Sequence, residues 1–274
     1  MPELPEVETI KQTLAQYITG REIVEVTVNH PGSIKTPGIS EFKEMIIGKR
    51  IINISRRGKY LVIKLSHEYI LVIHLRMTGQ LIYSEKSMPL KKHTHLIFGF
   101  DNGMELRFVD QRRFGCVWLV PENDIFQISG LHTLGVEPLS EDFTLSYLTG
   151  ILKARKAKIK QVLLDQKSLA GIGNIYADEI LFHSEIHPER TAASLTDTEI
   201  NKLYGTIKNI LNKAVKHRGT TFSDYVDGRG EKGSFQNYLK VYQRKGEKCS
   251  RCGTGIIRIK MGSRSAYYCP GCQR

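Results

Sequence analysis

The segment Leu96-Ile97-Phe98-Gly99-Phe100-Asp101-Asn102-Gly103-Met104-Glu105-Leu106-Arg107-Phe108-Val109 decides the fold class of the first half of this chain. Two runs rich in β-branched and aromatic residues, Leu96–Phe100 and Met104–Val109, flank Asn102-Gly103. Glycine accepts a positive φ without a steric penalty, so the segment reads as a β-hairpin turned at that dipeptide. The same composition recurs at Ile51–Ile54, Tyr60–Leu65, Tyr69–Ile73 and Cys116–Val120. Short strands from about Glu22 to Val120, with no helix between them, predict a β-sandwich or barrel.

Helical patterns lie on both sides. Over residues 3–19, Leu4, Val7, Ile10, Leu14, Tyr17 and Ile18 recur at three- and four-residue spacings and form one apolar face. Pro5 falls in the first turn, where its missing N–H costs little, and Gly20 ends the run. A passage marked by glycine and proline, Gly130 to Pro138, leads into a helical region from about Asp142 to His217. Gly219 to Gly233 is polar, holds four glycines and reads as a mobile loop. The tail from about Phe235 carries four of the five cysteines. No internal repeat is present.

The charge balance points to a polyanionic partner. Forty Lys+Arg against 28 Asp+Glu leave a net charge of +12, and nucleic acid is the commonest partner for such a surface. No apolar run approaches the roughly 18 residues that span a bilayer, and no basic amphipathic anchor or lipidation signal is evident, which argues against a membrane. The opening carries carboxylates and prolines rather than a signal or transit pattern, so a cytoplasmic, nucleoid-associated location is expected. Nothing suggests an oligomer, so a monomer is expected.

Cys249-x-x-Cys252 and Cys269-x-x-Cys272 are separated by sixteen residues. Two such knuckles fit a tetrahedral, closed, structural four-thiolate zinc site, with no other cofactor expected. Ribbons of this kind serve many partners, so the metal site does not by itself set the function.

The opening Met1-Pro2-Glu3-Leu4-Pro5-Glu6-Val7-Glu8 holds a different chemistry. A small second residue favours removal of Met1, which leaves Pro2 as a terminal secondary amine. Such an amine titrates near pH 8, so a useful fraction is nucleophilic at neutral pH. Glu3 and Glu6 share a helix face beside it and can move protons. Read alone, these residues are better explained as simply a good helix start.

The rest of the chain turns that reading around. MPELPEVET, Arg56-Arg57-Gly58-Lys59-Tyr60, His74-Leu75-Arg76-Met77, Asp110-Gln111-Arg112-Arg113-Phe114-Gly115, Gly173-Asn174-Ile175-Tyr176-Ala177 and the cysteine ribbon occur in this order. Together they closely resemble the bacterial formamidopyrimidine-DNA glycosylases, over essentially the whole chain. The resemblance implies an α+β multidomain fold: an N-terminal β-sandwich with an N-terminal helix (1–130), a helical domain with a helix–two-turns–helix element (131–234), and a zinc ribbon (235–274). DNA would lie across a basic cleft between the domains.

It also implies an activity. A DNA-formamidopyrimidine glycosylase and abasic-site lyase flips an oxidised purine out of duplex DNA, excises it, and cuts the strand by β,δ-elimination through a Schiff base on the N-terminal proline. Carried over residue by residue, Pro2 is the nucleophile, Glu3 the acid/base on the sugar, and Glu6 a supporting carboxylate. Lys59 is a proton donor or phosphate ligand, and Arg264 assists δ-elimination and grips phosphate. Met77, Arg112 and Phe114 match the void-filling trio, although Met77 and Phe114 taken alone read as core residues. Arg113, Lys156, Lys160, Asn174, Tyr176, His93 and His74 are expected DNA contacts, whereas His95 is expected to be structural. The loop from Thr220 to Gly233 resembles a lid over the extruded base.

Two other readings stay open at this level. One is the endonuclease VIII type, which shares the chemistry but prefers oxidised pyrimidines; Leu4 and the Arg112/Phe114 pattern favour the purine enzyme. The other is a non-catalytic zinc-ribbon DNA-binding module, in which Pro2 would be replaceable.

Overall fold

The computed structural model describes residues 1–274, which form two compact units. The first comprises Met1–His132 and His217–Gln236, and the second Thr133–Lys216 and Asn237–Arg274. The segment His217–Gln236, expected within the helical domain, therefore groups with the N-terminal unit, and the ribbon groups with the helices.

The first unit is a β-sandwich. One sheet holds β1 (Ile23–Val28), β7 (Thr94–Phe100), β8 (Met104–Asp110) and β6 (Gly79–Glu85), in the order β1-β7-β8-β6. The other holds β2 (Ile34–Thr36), β9 (Cys116–Pro121), β5 (Tyr69–His74), β4 (Tyr60–Leu65) and β3 (Ile51–Arg57), in the order β2-β9-β5-β4-β3. The expected hairpin is the β7–β8 pair, with Phe98 opposite Leu106. Its loop is Asp101–Gly103, and Gly103 supplies the positive φ of 78°.

Alternate strand residues such as Leu61, Ile63, Leu71, Ile73, Leu96, Phe98, Leu106 and Phe108 meet in one core. Helix α1 (Leu4–Ile18) delivers Val7, Ile10, Leu14 and Ile18 to that core, each buried. Burying a side chain of this size contributes about 1.5–3 kcal/mol, which is what holds so short a helix in place.

The strand-only reading of residues 22–120 needs a correction. A helix, α2 (Ile39–Ile46), sits between β2 and β3 and buries Phe42 and Ile46, one turn apart. Eight residues with one pair of anchors give too little periodicity to stand out in the sequence.

In the second unit, α3 (Leu145–Lys153), α4 (Ile159–Leu164), α5 (Asn174–Ser184) and α6 (Asp197–Lys216) precede the ribbon strands β10 (Ile257–Met261) and β11 (Arg264–Tyr268). Phe182 of α5 packs with Val241, Cys249, Ile256 and Cys269, so the ribbon shares a small core with the helices. No helix is long and apolar enough to cross a membrane.

Candidate active site and nucleic-acid surface

Strand registers gather most of the expected site residues of the first unit at one end of the sandwich. Tyr60 pairs with His74, and His74 with Cys116, so the β3–β4 turn, the β5–β6 connection and the β8–β9 connection lie side by side. Gly79 pairs with Asp110 and Thr94 with Val109, which brings His93 to the same end.

Lys59 occupies the second position of the two-residue turn Gly58-Lys59, where Gly58 takes φ 57°. Its side chain is largely buried. Arg56, just before the turn, donates through Nε to Glu8 of α1 at 2.9 Å and through a guanidinium nitrogen to the Gly58 carbonyl at 3.0 Å. Burial pushes the Glu8 carboxyl upward, but hydrogen bonds from Lys11 and Arg56 outweigh it and hold the group below its ordinary range.

His74 lies beneath this turn. Burial, then the nearby Arg76 and Lys59 charges, lower its pKa to about 3, so it is neutral. Its Nδ1 accepts from the Arg76 N–H at 3.0 Å, which leaves Nε2 as the donor. A neutral donor can bond a phosphate oxygen without adding charge.

Pro2, Glu3 and Glu6 are all buried. Glu6 Oε2 accepts from the Glu3 N–H at 2.8 Å, and its Oε1 accepts from the Thr220 N–H at 2.7 Å. One carboxylate thus joins the start of α1 to the segment expected to act as a lid. A Cβ on Gly219, at φ 76°, would stand 2.7 Å from Glu6 Oε1, so only glycine allows this approach.

Hydrogen bonds tie that segment back to the sandwich and to itself. The Gly228 carbonyl accepts from the Tyr83 N–H at 2.8 Å, along the edge of β6. Asp227, fully buried, pairs with Arg218 and accepts from the Arg229 and Glu231 N–H groups at 2.9 and 3.0 Å. Phe222 and Ser223 stand exposed at its tip.

Met77, Arg112, Arg113 and Phe114 are exposed, with the Arg112 guanidinium 4.8 Å from the centre of the Phe114 ring. An exposed Met and Phe are not core residues, which separates the two readings these side chains allowed. His93 is half-buried at φ 73°, and its carbonyl accepts from the Asp110 N–H. His95 is buried, with Nε2 2.6 Å from the Asp110 carbonyl, as a structural residue would be.

In the second unit five cations crowd into eight residues, Lys153, Arg155, Lys156, Lys158 and Lys160, and they sort themselves by partner. Lys153 pairs with Asp197 at 3.4 Å, Arg155 with Asp165 at 2.6 Å, Lys158 with Glu189, and Lys160 with Asp178 at 2.6 Å. Lys156 alone of the five is exposed and has no such pair. Two residues expected to contact DNA turn their side chains inward here. Lys160 is only 1% exposed, and Tyr176 is fully buried in the α5 interior. A helix face whose apolar spacing is interrupted by a single Lys or Tyr does not reveal which way that residue points.

Asn174 begins α5, and its Oδ1 is buried without a hydrogen-bond partner. The preceding turn is built by Gln166, which accepts from the Gly171 N–H at 2.9 Å and donates to the Leu164 and Ile172 carbonyls at 2.9 and 2.8 Å. Gln166 carries no motif and was not anticipated. Arg264 opens β11 at the ribbon turn and is exposed.

The four sulfurs of Cys249, Cys252, Cys269 and Cys272 lie within 4.8 Å of one another. Two of the separations are 3.8 Å (Cys249–Cys272) and 3.4 Å (Cys252–Cys269). Zn–S bonds of about 2.3 Å on a tetrahedron place sulfurs about 3.8 Å apart, so the set fits one structural zinc ion.

Three family matches follow the same order along the chain. Residues 1–117 match the formamidopyrimidine-DNA glycosylase N-terminal domain, 134–226 its H2TH domain, and 246–274 the zinc finger found in FPG and IleRS. The chain belongs to the formamidopyrimidine-DNA glycosylase family. The formamidopyrimidine-DNA glycosylase of Pelotomaculum thermopropionicum is 50% identical over 274 residues, covering 100% of this chain and 99% of the relative. That of Bacillus cereus is 45% identical with the same coverage. Among solved structures, a Lactococcus lactis FPG mutant in complex with a Fapy-dG containing DNA superposes with a TM-score of 0.93 at 38% identity, covering 100% of both chains. The Lactococcus lactis Fpg with an abasic site containing DNA gives the same TM-score over 99% of both. Its complex with an oxidised pyrimidine containing DNA gives 0.92. The family name thus attaches to the sandwich, the helical unit and the ribbon alike.

Proposed function

We propose that this chain is a base-excision DNA-repair enzyme that removes oxidised purines, 8-oxoguanine and formamidopyrimidines, and then cleaves the strand at the resulting abasic site. The observation that carries the reading is the buried Pro2-Glu3-Glu6 cluster at the start of α1, in a chain that matches the family from end to end. Burying two carboxylates at a helix start is costly for stability alone, and it suits a site that must hold and release protons.

While Met1 is attached, the Pro2 nitrogen is an amide and cannot attack. After its removal the free amine adds to C1′ of the flipped nucleotide, and the C1′–N bond to the base breaks with its electrons leaving on the base. The amine proton is lost and the sugar ring opens, with Glu3 delivering a proton to O4′, which gives an iminium. Loss of the C2′ proton then expels the 3′ phosphate, and a second elimination expels the 5′ phosphate. Water finally hydrolyses the iminium and frees Pro2. Lys59 and Arg264 serve the eliminations as proton donors and phosphate ligands. Met77, Arg112 and Phe114 fill the vacated stack, and Lys156, Arg113, Asn174, His93 and His74 hold the backbone. Zinc keeps the ribbon folded. The enzyme acts as a monomer in the cytoplasm, where four thiolates stay reduced for the metal.

The Lactococcus complex with an oxidised pyrimidine makes that lesion class a second substrate to be tried. The test is borohydride trapping on duplexes with 8-oxoguanine opposite cytosine or with thymine glycol, comparing Met1-processed protein with Pro2→Gly. A covalent adduct and a nick that both collapse in the variant support the mechanism. Tight binding with neither adduct nor nick on both duplexes would overturn it in favour of a binding module.

A further inference from the structure

Lys160 and Asp178 form an ion pair in the interior of the second unit, with side chains 1% and 0% exposed. Burying two charges is expensive, and the pair is not at the surface where it could meet DNA. Burial pushes the Asp178 carboxyl upward, against the pull of Lys160 and the Tyr267 N–H. Each partner makes a further hydrogen bond to the ribbon backbone. Lys160 Nζ donates to the Ser265 carbonyl at 2.7 Å, and Asp178 Oδ2 accepts from the Tyr267 N–H at 3.0 Å.

Those two backbone groups have a particular relation. The C=O of one strand residue and the N–H of the residue two further on emerge on the same edge of the strand. Strand β11 has a single strand partner, β10, so its other edge exposes such a row. A lysine and an aspartate supply one donor and one acceptor in the positions a neighbouring strand would use. Ser265 is held a second time, since its hydroxyl accepts from Arg258 Nε at 2.8 Å. Ser265 directly follows Arg264, whose own side chain is exposed at the ribbon turn.

We propose that the Lys160–Asp178 pair is a positioning device: it caps the free edge of β11 and thereby sets where Arg264 stands for δ-elimination. This rests on the reading of Arg264 given above, and the experiment is arranged to separate the two. The double variant Lys160→Met/Asp178→Leu removes both charges together, so no buried ion is left uncompensated, and it removes both edge bonds. It is compared with the parent and with Arg264→Ala on a duplex carrying an abasic site under single turnover. Three quantities are followed: the rate of borohydride trapping, the ratio of δ- to β-elimination products, and bound zinc.

The double variant is expected to keep its zinc and its trapping rate, while the δ:β ratio falls about tenfold or more toward that of Arg264→Ala, as a misplacement near 1 Å can cause. An unchanged ratio in the double variant, with a fall in Arg264→Ala, overturns the positioning role and leaves the pair as core structure. An unchanged ratio in Arg264→Ala overturns the reading of Arg264 instead. If the double variant loses its zinc, Lys160→Arg takes its place. It keeps the charge pair but offers a planar donor of different reach, and the ratio must still fall for the inference to stand.

Discussion

Thr78 Oγ1 donates to Asp110 Oδ1 at 2.5 Å, and this bond ties the loop that presents Met77 to the loop that presents Arg112 and Phe114. Asp110 is fully buried and also accepts from the Arg112 N–H at 3.2 Å and the Gly115 N–H at 2.7 Å. A Cβ on Gly115 would meet Phe108 at 2.3 Å, so the loop closes tightly on the sheet end. The loops that carry Met77, Arg112 and Phe114, exposed side chains all three, are thus held from below by one carboxylate.

Replacing Asp110 with Asn turns one acceptor into a donor facing either Thr78 Oγ1 or the Gly115 N–H. The expected cost is about 1–3 kcal/mol of stability. Excision should lose its dependence on the base opposite the lesion, because Arg112 is no longer held. Thermal melting and excision rates opposite cytosine and adenine check this, and an unaltered preference would separate Asp110 from the trio.

Lys156 should be the phosphate contact among the five clustered cations. For Lys156→Ala the slope of log K against log[salt] for duplex binding should shrink by about 0.9. Lys153→Ala and Lys158→Ala should change it clearly less, since Asp197 and Glu189 already neutralise those residues. Equal changes in all three would show that the ion pairs open on DNA.

His74 should make the protein acid-sensitive. Its folded pKa, about 3, lies below the ordinary 6.5. Below pH 6.5 the unfolded chain binds a proton that the folded one refuses, so stability falls with falling pH by up to about 1.4 kcal/mol per pH unit until about pH 3. Denaturant midpoints across this range should show an acid limb in the parent that is shallower by that slope in His74→Gln. Parallel limbs would mean that another group dominates.

Stripping zinc with a chelator should unfold the ribbon and leave the sandwich intact. Amide exchange over residues 246–274 should become fast, while β7 and β8 keep their protection. Loss of protection throughout the first unit would contradict the separation into two units.

Much of the site was legible because its chemistry resides in residue type and short spacing. The Cys249/Cys252 and Cys269/Cys272 knuckles and the Asn102-Gly103 turn each declare themselves within a few residues, whereas the Pro2-Glu3-Glu6 start gained its meaning only from the motifs further along the chain. Helix α2 escaped notice because two apolar anchors do not make a period. Asp110, Gln166 and Asp178 were missed for another reason: each acts through bonds to backbone groups or to side chains distant in sequence, which carry no local sequence signal. Glu179 belongs with them. It is buried and accepts from the Lys240, Val241 and Tyr242 N–H groups at 2.8–2.9 Å, which fixes the approach to the ribbon.

By itself the sequence determined the strand-rich first half, the zinc ligand set, the excess of positive charge and the residues with the right reactivity. Only the tertiary structure decided which of those residues are available. Lys156 and Lys160 differ by four positions in one basic run, yet one is exposed and the other is sealed against Asp178 beneath β11. That outcome depends on desolvation and on a partner brought close by the fold, and neither quantity is local to the chain.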